Sequence, residues 1–154
     1  MTKQNTLRFD HWTPQAIAAA AEKYKTTAQS TYDAVAKAEV SIAAIIDPLH
    51  ALGFRGYVDG TNLEFLQHVS PDPVLREASV AADKVISEFE VTQSMRVDLF
   101  KQFEKLSGNL SGNLSDPETL RFIERQLREG RRNGLHLDEK VFSYFLKFKF
   151  PGSG

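Results

Sequence analysis

Residues 72–106, "DPVLREASVAADKVISEFEVTQSMRVDLFKQFEKL", decide the fold. Asp72-Pro73 pairs a side chain that accepts the first free N–H groups of a helix with a residue preset for its first turn. Leu75, Ala78, Ala82, Val85, Phe89, Ser94 or Met95, Leu99, Phe103 and Leu106 then recur at mostly three- and four-residue spacing. That spacing predicts one long helix with a drifting apolar seam. The same opening recurs at Thr13-Pro14 and at Asp116-Pro117. After Pro14, the stripe Ile17, Ala21, Tyr24, Ala28, Tyr32 and Val35 predicts a helix; after Pro117, Leu120, Ile123 and Leu127 face inward and Gly134 closes the element. Strand-like alternation is nearly absent, so the expected fold is all-α, a multi-helix antiparallel bundle.

Between these elements the signals are more broken. A helix is expected near residues 40–52, with Pro48 as a kink or break and Gly53 and Gly56 marking an interruption around Phe54. Leu63, Leu66 and Val69 predict a second short helix that ends before Ser70-Pro71. "SGNLSGNLSD", residues 107–116, reads as a turn-rich loop built on a small duplication.

Composition narrows the function classes. A chain of 154 residues supports one domain with a single core. With 19 basic and 20 acidic residues it has no basic excess, so neither nucleic acid nor a membrane surface is an expected partner. No cysteine is present, which removes disulfides, thiol nucleophiles and thiolate metal sites. No apolar run approaches the ~20 residues of a membrane span. The opening "MTKQNTLRFD" lacks a signal-peptide core. The expected location is cytoplasmic, where the sequons at Asn109 and Asn113 would meet no glycosylation machinery.

Candidate chemistry is sparse. His11, His50, His68 and His136 form no pair at helical spacing and no H-E-x-x-H motif, so no catalytic or metal-ligating residue is expected and no cofactor follows. His68 suits the C-terminus of a helix. "GRRNG" and "GFRG" resemble anion cradles only superficially. Arg121, Arg125, Arg128 and Arg132 fall within about 60° of one another on a helix, a basic stripe. Such a stripe is either a solvated face laced with Glu118, Glu124 and Glu129, with Glu124 and Arg128 paired, or a contact for acidic side chains or a peptide carboxylate.

Two stretches carry a family resemblance. "LQHVSPDPVLREASVAADKVISEFEVTQSMRVDLF" and "IERQLREGRRNGLHLDEK" resemble the N-terminal helical region of the thimet oligopeptidase, neurolysin and saccharolysin family. "HVSP", "ADK…SEF", "SMR" and "RRNGLHL" stand in that family's order over roughly residues 7–140. The resemblance implies a large two-lobed helical zinc oligopeptidase whose zinc site lies far toward the C-terminus. No position here matches those zinc ligands, so zinc and catalysis are not carried over to this chain.

The expected organisation is a lead-in at 1–12, a helical domain at 13–140 and a divergent tail at 141–154. "VFSYFLKFKFPGSG" departs from the family pattern and reads as an altered ending: a splice form, a retained intron or a truncated gene copy, with an artificial origin open for the final Gly-Ser-Gly alone. Asp138 as N-cap predicts a helix in the tail, with Val141, Phe145 and Phe148 on one face beside Phe142 and Leu146. The expected function is a catalytically empty domain that binds a peptide or protein or self-associates through the aromatic tail. The candidate surface comprises the four arginines with Phe142, Phe145 and Phe148. The alternative is a peptidase fragment that works only with the zinc-binding lobe.

Overall fold

The computed structural model describes residues 12–110, 116–138 and 140–142, side chains at 55 and 57–60 excepted. The fold is all-α. Among the described residues five helices follow in order: α1 (Pro14–Lys37), α2 (Ile42–Val69), α3 (Pro73–Ser94), α4 (Val97–Asn109) and α5 (Pro117–Arg132). The three proline openings form as expected. Thr13 accepts from the Ala16 N–H, Asp72 from Val74, and Asp116 from Glu118 and Thr119.

Contacts set the topology. Along α1, Ile17 shares a core with Leu63 and Leu66 of α2, and Val35 shares one with Ile45 and Ile46, so α1 and α2 run antiparallel. Tyr24 meets Phe89 edge-on, Gln29 meets Gln93 and Asp33 meets Arg96, so α3 runs alongside α1. α4 and α5 cross antiparallel, with Phe100 against Gly130 and Phe103 against Phe122. One core joins α1, α2 and α3 around Ile17, Ala21, Leu63, Leu66 and Ala82. A second gathers Val35, Ile45, Ile46, Leu99, Phe100, Phe103, Leu106, Ile123 and Leu127.

Three sequence expectations are corrected. The long helix from Pro73 is two helices: α3 ends at Ser94, and Arg96 is extended at φ −78°, ψ 111° before α4 begins. Arg96 there bonds Asp33 of α1 and Asp98 of α4, a tertiary attraction that a periodic seam does not reveal. In the opposite sense, α2 runs unbroken through Pro48, Gly53 and Gly56. Pro48 gives up its own N–H bond without ending the helix, and Gly56 lies where an added Cβ would stand 2.8 Å from Cε2 of Tyr24. That glycine permits close approach to α1 within a helix and does not end one. Finally, α4 extends through Ser107, Gly108 and Asn109, which takes the first residues of the expected loop into its last turn.

The end of α5 explains part of the "RRNGLHL" motif. Gly134 takes φ 79°, its N–H donates to the Arg131 carbonyl at 3.0 Å, and the Leu135 N–H donates to Gly130 at 3.0 Å. This pair of bonds is a Schellman closure with Leu135 as its buried apolar partner. "GRRNG" is thus a helix ending and "GFRG" lies inside α2; neither is an anion loop.

Beyond α5, Asp138 accepts from the N–H groups of Lys140 and Val141, as expected of an N-cap, and 140–142 is helical. Phe142 packs half-buried against the second core. Phe145 and Phe148 lie outside the described residues, as do most of the lead-in and the rest of the tail.

Candidate functional site

A cleft of about 480 Å³ lies where the α1–α2–α3 bundle meets α4 and α5. All five helices contribute. Its apolar lining comes from Leu49 and Leu52 of α2, Phe100 and Phe103 of α4, and Phe122 of α5. Tyr24 and Tyr32 of α1 add aromatic faces with hydroxyls, and Glu90, Gln93 and Arg96 add a polar side.

Each polar group has a traceable position. The Tyr24 hydroxyl donates to Oε1 of Glu90 at 2.9 Å. Burial, then the hydrogen bond and charge of Glu90, push the Tyr24 phenol far above its ordinary pKa. Burial and Glu90 likewise raise Tyr32, against a smaller opposing pull from Arg96. Both rings therefore stay neutral donors at physiological pH. The buried Gln93 amide donates to Oε1 of Gln29 at 3.0 Å, while Gln29 donates to Asp33 at 2.9 Å. Nη1 of Arg96 donates to Asp33 at 2.6 Å; its Nε and Nη2 donate to Asp98 at 3.0 and 2.6 Å. The Gln29 bond and Arg96 lower the Asp33 pKa, and Arg96 lowers that of Asp98.

One further polar side chain fixes how the two halves meet. Nε2 of Gln102, on α4, donates toward the carbonyls of Val35, Ala36 and Ala38 at 3.3, 2.9 and 3.1 Å. These carbonyls end α1, so a side chain from another helix caps it.

The residues singled out in the sequence fall elsewhere. Arg121, Arg125, Arg128 and Arg132 lie exposed on α5, outside the cleft. Arg121 pairs with Glu118 at 3.0 Å and Arg125 with Glu129 at 2.9 Å. Among the described residues these are the ion pairs on that face, in place of the expected Glu124–Arg128 pair. His68 does stand in the last turn of α2, and His50 packs edge-on against Phe122 with centroids 4.9 Å apart. Among the described residues, no three His, Cys, Asp or Glu side chains converge as a metal site would require. None of the described helices is long and apolar enough to cross a membrane. Sequence reading missed Glu90, Gln93 and Arg96 as site residues. The one available signal was Tyr24 and Tyr32, two hydroxyl-bearing rings within an apolar stripe.

No family model matches the chain. Over 133 residues the chain is 28% identical to saccharolysin of Saccharomyces cerevisiae (strain ATCC 204508 / S288c), a metallopeptidase. The match takes in 83% of this chain and 18% of saccharolysin, so the chain spans less than a fifth of that relative's length. The similarity supports a resemblance to the thimet oligopeptidase family, and the helical architecture is consistent with a helical domain of such enzymes.

Proposed function

We propose that this chain is a helical domain of the zinc-oligopeptidase kind that performs no catalysis itself and acts by binding a peptide or protein. The observation that carries this reading is the five-helix cleft, whose apolar floor and polar side suit a ligand of side-chain size. The similarity to saccharolysin supports the parentage, and no zinc chemistry is assigned to this chain because its sequence holds no H-E-x-x-H motif. Chelator-washed protein should contain no stoichiometric zinc and should leave a quenched fluorescent peptide uncut. Zinc at one equivalent together with chelator-sensitive cleavage would overturn the reading.

A second reading is favoured by the 18% coverage of saccharolysin: a fragment that works only beside a zinc-binding lobe. Exposed Phe54, Phe65, Val69 and Val74 offer apolar surface for such a neighbour. Restored peptidase activity on mixing the chain with a separately purified zinc lobe decides for this reading, and no activity in the mixture decides against it. In either setting the Arg121–Arg132 stripe and the aromatic tail remain our candidates for protein contact and self-association, in a cytoplasmic protein.

A further inference from the structure

We propose that the cleft beside Tyr24, Tyr32 and Glu90 receives a lysine or arginine side chain that a peptide presents between apolar neighbours. The inference rests on the reading of the chain as a binding domain and names the ligand class.

Charge complementarity selects the cation. Arg96 lines the cleft, but its donors are committed to two carboxylates, Asp33 and Asp98, each at 2.6 Å. Glu129, also in the lining, is matched by Arg125 at 2.9 Å. Glu90 differs: its bond among the described side chains comes from the neutral Tyr24 hydroxyl, at 2.9 Å. Among the described lining residues the charge left unmatched is therefore negative. A carboxylate or phosphate entering it meets an arginine already neutralised and a glutamate that repels it. A cation meets an available carboxylate beside the half-buried Tyr24, and a charge-assisted bond to it is stronger than one between neutral groups.

The remaining lining fits the rest of such a side chain. Tyr24 and Tyr32 place aromatic rings in the lining, whose π-systems can attract a cation, and both phenols stay protonated. Leu49, Leu52, Phe100 and Phe103 offer apolar surface to an aliphatic stem or a neighbouring ring. At about 480 Å³ the cleft has the capacity of a small-ligand site, enough for a few side chains of an extended segment.

Isothermal titration calorimetry on the full chain tests this, using a blocked hexapeptide with one lysine between two phenylalanines. Controls replace that lysine by norleucine or by glutamate. The lysine peptide should bind best, and Glu90→Gln should weaken it about tenfold, the scale of one charge-assisted bond, while leaving the norleucine peptide unchanged. Glu90→Lys should reverse the preference toward the glutamate peptide. Glu90 is exposed, so both variants are expected to fold, and circular dichroism confirms it. Equal affinity for the lysine and glutamate peptides, or indifference to Glu90→Gln, overturns the assignment. A change of oligomeric state in Glu90→Gln, with no peptide effect, makes a second copy the occupant and also overturns it. Mass spectrometry of the recovered peptide separates the two readings. Cleavage refutes the non-catalytic domain, whereas an intact peptide bound without dependence on Glu90 refutes only the cleft.

Discussion

Replacing Gly130 by alanine sets helix propensity against packing. An added Cβ at this position in α5 would lie 2.3 Å from Cδ2 and 2.7 Å from Cε2 of Phe100. Both distances are far inside contact, and the Phe100 ring is 3% exposed, with little room to yield. Overpacking a core costs roughly 1–3 kcal/mol, while exchanging glycine for alanine in a helix returns at most about 1 kcal/mol. A net loss of up to about 2 kcal/mol is expected, a fall in Tm of up to roughly 8 °C for a chain this size. Gly53 supplies the control. It is helical and exposed, and a Cβ there meets nothing within 4 Å. Gly53→Ala should therefore stabilise by about 0.5–1 kcal/mol. Thermal melts and urea titrations of both variants measure the contrast. If Gly130→Ala gains stability as Gly53→Ala does, the close approach of Phe100 to α5 is wrong.

Other expectations follow from the same contacts. Gln102→Met removes the donor shared by three carbonyls at the end of α1 and should cost on the order of 1–3 kcal/mol in urea unfolding; an unchanged midpoint refutes the cap. Asp33 and Asp98 have folded pKa values below their unfolded ones, so the unfolded state binds protons first as pH falls. Their stabilisation is full above about pH 4 and fades as pH drops through the lower folded values. Arg96→Met should thus narrow its stability gap to the native chain below pH 4, and a constant gap down to pH 2 refutes the linkage. Residues 142–150 hold five aromatics, and burying one phenylalanine contributes roughly 1.5–3 kcal/mol. Deleting residues 141–154 should lower Tm or cause aggregation; equal stability, solubility and oligomeric state would count against a docked tail.

What could be read from sequence was what local chemistry decides. Thr13, Asp72 and Asp116 each precede a proline, and each caps a helix because the signal needs only its immediate neighbours. The α1 stripe from Ile17 to Val35 was equally legible, since burial follows a single period. The break at Met95–Val97 was not: Met95, Leu99 and Phe103 continue the seam, and what redirects the chain is Arg96 reaching Asp33 on another helix. α2 failed in the opposite way. Pro48, Gly53 and Gly56 punctuate the sequence, yet packing holds the helix together through all three. The cleft was invisible for a related reason: Tyr24, Leu52, Glu90 and Phe122 come from four helices, and no spacing joins them.

The two long helices that serve both cores bear on how the molecule comes apart. α1 gives Ile17 and Ala21 to one core and Val35 to the other; α2 gives Leu63 and Leu66 to the first and Ile45 and Ile46 to the second. Neither core can melt without withdrawing a wall from its neighbour, and with Gln102 of α4 closing the end of α1, the second half is bound into the same event. Such wiring makes unfolding all-or-none. Slow-exchanging amides at Ile17 and at Leu106 should then report one common opening free energy.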